Sequence, residues 1–241
     1  HLKINTGMNR LGFAPEKVEE LLKELATEPR VEVVGVFSHL AAADDASKDE
    51  FTRKQLRTFE EVAAAVKAQY PRAVAHVLNT HGIHRFSKEA HQMVRLGIGL
   101  YGAGSYEGTA PLEEVISWKC KVSQVSDLKP GDSVGYGTTF TAERPMKYAT
   151  LPVGYADGLS RSLSGGKGAV YIAGHRCTIL GRVCMDMCMV DVSGLEVNPG
   201  DEVEILGPHQ SASDLAQAAG TISYEVLTGI GPRVPRLYIK D

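Results

Sequence analysis

Side chains able to bind anions or move protons stand at the ends of apolar runs in this sequence. His39 follows Val36-Phe37-Ser38, Thr80 follows Leu78-Asn79, and Arg95 precedes Leu96-Gly97-Ile98-Gly99. An imidazole exchanges protons near neutrality. A guanidinium donates hydrogen bonds and accepts none. Amides beside glycine let a phosphate approach the backbone. Lys3 and Arg10 add two cations on one loop, and Gly154-Tyr155-Ala156-Asp157-Gly158 sets a phenol among small residues at a strand end. Met185, Met187 and Met189 alternate as they would along one strand face. Each feature has a structural reading as well. His39 can be a satisfied histidine, Thr80 part of a turn, Tyr155 a packed or turn-capping ring. Lys3 and Arg10 can be solvated, and the methionines core. Leu96 to Gly99 matches no full dinucleotide fingerprint.

The elements that must position these residues alternate in the first half. His1 to Ile4 reads as a strand. Pro15-Glu16 opens a helix, with Val18, Leu21, Leu22 and Leu25 on one face until Pro29. Val31–Phe37 is a strand, 48–69 a helix bearing Phe51, Phe59, Val62 and Val66, and Ala73–Leu78 a strand. A short helix falls within 82–92, and Val94–Leu100 reads as a glycine-rich strand. This order predicts a parallel sheet covered by helices, with chemistry at the carboxyl ends of its strands. Ser105 to Pro111 reads as a linker. Short β runs follow at 115–125, 133–136, 147–153, 168–172, 176–181 and 183–192. Pro-Gly-Asp turns at 130–132 and 199–201 each precede a strand. A helix over Ser211–Ala219, capped by Ser211 or Ser213, and a short one over 223–229 complete the chain. The class is α/β plus all-β, divided into 1–110 and 111–241.

Composition narrows the function classes. The 241 residues are 43% hydrophobic and 23% charged, enough for a core and against disorder. A net charge of -3 gives no bulk attraction to nucleic acid or an anionic membrane. No apolar run nears the roughly 18 residues of a membrane span. Cys120, Cys177, Cys184 and Cys188 lack zinc spacing, and a chain this long needs no disulfide framework, so reduced thiols, no metal and a cytoplasmic location are expected. The chain opens on a strand with no leader and no starting Met, which reads as a truncated or processed chain.

Taken together, the segments are far more specific. His1-Leu-Lys-Ile-Asn-Thr-Gly-Met-Asn-Arg10-Leu-Gly-Phe13 strongly resembles a segment of the alanine racemases. The resemblance continues through Phe37-Ser-His39, Leu78-Asn-Thr80 and Val94-Arg95-Leu-Gly97-Ile98-Gly-Leu-Tyr101. It includes Leu151-Pro-Val-Gly-Tyr155-Ala-Asp-Gly158, Gly181-Arg-Val-Cys-Met185-Asp186, Ile222-Ser-Tyr224 and Pro232-Arg-Val-Pro-Arg236, and so covers essentially the whole chain. It implies a partial (β/α)8 TIM-type barrel in 1–110 followed by a mainly β domain in 111–241. The family lysine that forms a Schiff base with pyridoxal phosphate would lie upstream, and no lysine here matches its motif. The implied parent activity is pyridoxal-phosphate-dependent interconversion of L- and D-alanine, with this chain an inactive part of it.

The resemblance also assigns roles. Tyr155 would be a base contributed across a homodimer. A phenol ordinarily titrates near about 10, so it needs polar support, which His39 and Arg95 would relay from the cofactor ring. Arg95 would face the pyridine nitrogen. Thr80, Gly97, Ile98 and Tyr224 would hold the phosphate, and Arg10 and Met185 the substrate carboxylate. Lys3 matches a family lysine that can be carbamylated to orient Arg10. Asn5 stands where many relatives have an acid, and Thr80 where many have Ser. Two alternatives stand beside this reading: a serine or broad-specificity racemase, and a non-catalytic pyridoxal-phosphate-binding protein, against which the β half and Tyr155 argue.

Overall fold

A computed structural model describes residues 1–104 and 112–239. The linker read at 105–111 lies outside the described residues. Among the described residues, 1–100 form one compact unit, and 101–104 with 112–239 a second.

In the first unit, β1 (Leu2–Lys3), β2 (Gly35–Phe37) and β3 (Val74–His76) make a parallel sheet in the order β1-β2-β3. The register pairs Leu2 with Val36 and Val36 with Ala75. Between them, α1 (Val18–Ala26) follows a 3-10 turn at Pro15–Lys17, and α2 spans Asp49–Gln69. The apolar spacing of α2 explains its docking. Phe59, Val62, Ala63 and Val66 are buried with Val36, Ala75, Ile4 and Leu40 in one core. Pro15 has no amide to donate, so it suits a first turn. The helix ends before Pro29 because Thr27 already takes the carbonyls of Glu24 and Leu25.

The strand readings shrink here, Ala73–Leu78 to Val74–His76 and His1–Ile4 to Leu2–Lys3 among them, and one fails. Val31–Phe37 is a strand only from Gly35, and Val31 and Val34 are exposed. The ladder begins where its partners begin, with Gly35 opposite Val74 and Val36 opposite Leu2. Val94–Leu100 is not a strand. The Arg95 amide donates to the Leu78 carbonyl at 3.0 Å, and Ile98–Tyr101 is a 3-10 turn. The amides of Gly97 and Gly99 point at the Thr80 hydroxyl, 2.9 and 3.5 Å away, instead of at a neighbouring strand. The short helix expected within 82–92 starts earlier, as α3 (Thr80–Arg85), because Asn79 caps it, and a 3-10 turn at Ser87–Glu89 follows.

The second unit is antiparallel. Its strands are β4 (Trp118–Lys121), β5 (Gln124–Leu128), β6 (Ser133–Val134), β7 (Phe140–Thr141), β8 (Met146–Leu151), β9 (Ala169–Ile172), β10 (His175–Leu180), β11 (Cys188–Asp191) and β12 (Glu202–Leu206). Seven of them form a sheet in the order β4-β12-β9-β10-β11-β8-β5, and β6-β7 is a separate hairpin. The run 115–125 breaks in two because the chain changes partners. The Val122 amide bonds Asp201, and the Ser123 amide bonds Thr150. The run 183–192 is a strand only from Cys188, since Cys184 N bonds Met187 O in a turn. Val170, Cys177, Ile179, Val190 and Ile205 lie wholly buried in the core. Then α4 (Ala212–Ala219) starts at Ser211, which forms a reciprocal cap with Asp214, and α5 spans Ser223–Gly229. The four cysteines are unpaired, and burial raises the Cys120 thiol to about 12 and the Cys177 thiol to about 11. Such thiols are poor nucleophiles. Among the described residues no helix is long and apolar enough to cross a membrane.

Candidate active site

His39 is carried just past β2 by a polar network under its loop. Buried Gln55 of α2 donates to the His39 carbonyl at 3.1 Å and accepts from the Ala41 amide at 2.9 Å. The Ser38 hydroxyl donates to the Ile4 carbonyl at 2.7 Å and sits 2.7 Å from the Thr6 hydroxyl. A glutamine on the buried face of an amphipathic helix was the sequence signal for this support.

Arg95 closes the carboxyl ends of β2 and β3. One nitrogen donates to the Ser38 carbonyl at 2.7 Å and the Val77 carbonyl at 3.3 Å, and lies 3.3 Å from His39 Nδ1. The other donates to the His76 carbonyl at 3.2 Å and to His76 Nδ1. The guanidinium also lies 5.5 Å from the Phe37 ring centre. Arginine donates only, so both imidazoles must accept at Nδ1. The proton of His39 therefore sits on Nε2, aimed away from Arg95. His76 likewise carries its proton on Nε2, where it donates to His1 Nδ1 at 2.9 Å. His76 also stacks on Phe37 with ring centres 5.0 Å apart. Sequence reasoning missed His76, whose only signal was a histidine inside a buried strand.

The site is electropositive. Burial first, then Arg95, Arg10 and Lys3, lower the pKa of His39 and keep it neutral. Burial, then Arg10 and Arg95, lower Lys3. Burial, then Arg95 and the chain's amino terminus, lower His76 to about 4. The fully folded unit thus holds His76 neutral where an unfolded chain, near 6.5, would already take a proton. That contribution is complete above pH 6.5 and fades as pH falls towards 4. Acidification from pH 7 to 4.5 is expected to weaken the first unit by about 2 kcal/mol through this group. Hydrogen exchange of the β2 and β3 amides reads it, and H76N should flatten the slope. Equal slopes in both proteins would refute the assignment.

Arg10 sits on the loop that Asn5 folds. Asn5 Oδ1 accepts from the amides of Gly7 and Asn9 at 3.2 and 2.9 Å. Gly12, at φ 121°, returns the chain so tightly that an added Cβ would lie 2.9 Å from Asn5 N and Lys3 O. Thr80 begins α3, which Asn79 caps through the Gly82 amide at 3.0 Å. Its hydroxyl, the Gly97 amide and buried Ile98 line one side of this surface. Lys3, Arg10, His39, Thr80, Arg95, Gly97 and Ile98 thus belong to the first unit.

Tyr155, Met185 and Tyr224 belong to the second. Tyr155 and Met185 are brought together. The Tyr155 amide donates to the Cys184 carbonyl at 3.1 Å, and the Ala156 amide to the Met185 carbonyl at 3.0 Å. Tyr155 is 44% exposed and Met185 54%, so neither is a packed core residue. Met187 is exposed as well, and only Met189 packs, which corrects the reading of the three as one core face. Tyr224 opens α5 and is also exposed. Tyr136 stands out too. It is 72% exposed between Gly135 and Gly137, both at positive φ, with Arg182 against the turn. Its flanking glycines were its only sequence signal.

The comparisons fall on one family. Residues 1–105 match the model of the alanine racemase N-terminal domain, and 115–238 that of its C-terminal domain. An alanine racemase of Symbiobacterium thermophilum is 43% identical over 99% of this chain and 65% of its own length. An alanine racemase structure from D-cycloserine-producing Streptomyces lavendulae superposes at TM-score 0.91, with 34% identity over 100% of this chain and 66% of that one. One from Bartonella henselae, with covalently bound pyridoxal phosphate, gives 0.87 and 36% identity over 99% of this chain and 66% of that one. The chain spans about 65% of the length of the curated relatives it matches.

Proposed function

This chain belongs to the alanine racemase family, and we propose that it serves the pyridoxal-phosphate-dependent interconversion of L- and D-alanine through removal and return of the Cα proton. The observation that carries this reading is the Arg95–His39 pair beside the Thr80–Gly97 surface, at the carboxyl ends of parallel strands. Pyridoxal phosphate, when bound, supplies the electron sink that acidifies the Cα–H bond.

The residues present fit that group. Among the described residues, a Cβ on Gly97 would meet only the Thr80 hydroxyl, at 3.6 Å, so the approach to this backbone is open. The Thr80 hydroxyl, the Gly97 and Ile98 amides and the Tyr224 hydroxyl would hold the phosphate. Arg95 would face the ring nitrogen. It donates and never accepts, so it leaves that nitrogen unprotonated, which restrains side reactions. His39, with its proton on Nε2, would donate to the phenol that moves the proton and steady charge there. In this reading the phenol is Tyr155, acting from the partner subunit of a homodimer together with Met185. Arg10 receives the substrate carboxylate.

Lys3 acts through Arg10. Its lowered pKa favours the neutral amine, the form that adds to carbon dioxide with loss of a proton. The carbamate would exchange a cation beside Arg10 for an anion, where Asn5 supplies none. Labelled bicarbonate is expected to give a carbonyl 13C resonance that K3A removes. Its absence from the wild type would refute the modification. The same reading places the domain boundary near 110, a cytoplasmic site of action, and D-alanine supply for peptidoglycan precursors.

A second assignment of the phenol is Tyr136, favoured by its greater exposure on a glycine-bounded turn. Racemisation by a chain with the full length of the relatives tests both, comparing Y155F with Y136F. Removing a general base costs about a hundredfold or more. A loss confined to Y155F keeps the first assignment, and a loss confined to Y136F replaces it. No racemisation by the unsubstituted chain with cofactor would overturn the function, and an active monomer would overturn action across a dimer.

A further inference from the structure

The turns bearing Tyr155 and Met185 come from distant parts of the sequence, yet one side chain joins them. Arg233 Nε donates to Asp157 Oδ1 at 2.7 Å, and another nitrogen of the same guanidinium bonds Asp186. Asp157 is buried, and its other oxygen accepts from the Gly154 amide at 2.8 Å. Its carbonyl accepts from the Gly231 amide at 2.9 Å. The segment carrying Arg233 is itself held. Arg236 donates to the carbonyls of Ile230 and Val234, each at 2.6 Å, and to that of Gly231. The carboxylates, Asp157 first, raise the Arg233 pKa, so the bridge stays charged.

We propose that Arg233 is a positioning residue that fixes the spacing between the Tyr155 turn and the Met185 turn by bridging Asp157 and Asp186. Its relevance to catalysis rests on the reading of Tyr155 and Met185 as substrate-facing. Two inter-turn hydrogen bonds alone form a hinge, because both run from consecutive residues, 155 and 156, to consecutive residues, 184 and 185. The bridge adds a third attachment beyond them, on side chains of 157 and 186, and stops rotation about that line. A planar fork can address two carboxylates at once, whereas an ammonium is a point charge on a flexible stem.

The test is hydrogen exchange on this chain, with R233Q, R233K and D186N. D186N alters an exposed residue, so it keeps the fold in hand should R233Q unfold. The Tyr155 and Ala156 amides are expected to exchange at least tenfold faster in R233Q and D186N, with R233K between them and wild type. The β9 and β10 amides should be unchanged. In a chain with the relatives' full length, R233Q should raise KM for alanine with a smaller effect on kcat and with Tm held. Unchanged exchange at 155 and 156 in both R233Q and D186N overturns the proposal. So does acceleration spread evenly over the sheet, which would mark a general structural role. Failure of the racemase reading has a different signature: the unsubstituted chain of the relatives' full length does not racemise alanine with cofactor, while exchange in R233Q still accelerates.

Discussion

Arg95→Gln is expected to unlock the parallel sheet of the first unit. The guanidinium serves the carbonyls of Ser38, His76 and Val77 and the Nδ1 atoms of His39 and His76. A carboxamide of shorter reach can replace one or two of these bonds. Charge-assisted bonds contribute roughly 1.5–3 kcal/mol each where burial protects them, and Arg95 is only partly buried. A net loss of about 3 kcal/mol follows for the first unit, read as roughly hundredfold faster exchange of the β2 and β3 amides. R95K should lose less, since a longer stem carries a charged group with three donors to the same carbonyls. The second unit, followed through its sole tryptophan, Trp118, should be unaffected in R95Q. Unchanged β2 and β3 protection would show that Arg95 is held by the sheet without holding it.

Gly154→Ala should be comparably severe in the second unit. The added carbon would stand 2.3 Å from the Cys184 carbonyl oxygen and 2.4 Å from that of Met185. Both neighbours are backbone, so no rotamer change relieves the clash, and the two turns must separate. Separation breaks the bonds from the Tyr155 and Ala156 amides and disturbs buried Asp157. Overpacking of this kind costs about 3 kcal/mol. Urea unfolding followed by Trp118 fluorescence should show a lowered midpoint. Gly229→Ala is the control. Among the described residues a Cβ there meets nothing within 4 Å, at the end of α5, and the midpoint should hold or rise slightly. Equal midpoints for wild type and G154A would mean the turns part without cost.

The residues of the first unit show what was legible beforehand. Periodicity placed α1 and α2 because an amphipathic stripe is a local record of a distant core. Apolar runs located the strands but not their ends, which depend on where a partner strand begins. Val94–Leu100 misled for a related reason. Its composition suits a strand, while its amides serve Thr80 and its first bond goes to Leu78. Single-residue polar features carried the site: His39, Thr80 and Arg95 were visible as exceptions at the ends of apolar runs. His76 and Gln55 left only a polar residue on a buried face as their signal, and their roles emerge from their partners. In the second unit the turn at 184–187 interrupted an alternation that looked continuous, because its carbonyls are claimed by residues 155 and 156.

The guanidinium at the strand ends has a consequence for how this fold can change its chemistry. The group that would set the electronic character of the ring nitrogen is also a tie between neighbouring strands. An acid at position 95 would strengthen the electron sink, but it would leave the carbonyls of Ser38, His76 and Val77 without their donor and both Nδ1 atoms facing a second acceptor. Any lineage drifting towards a different reaction at this position must therefore acquire another donor for those carbonyls first. Reaction type and tertiary closure are inherited here as one trait, and the barrier to altering the first is the stability of the second.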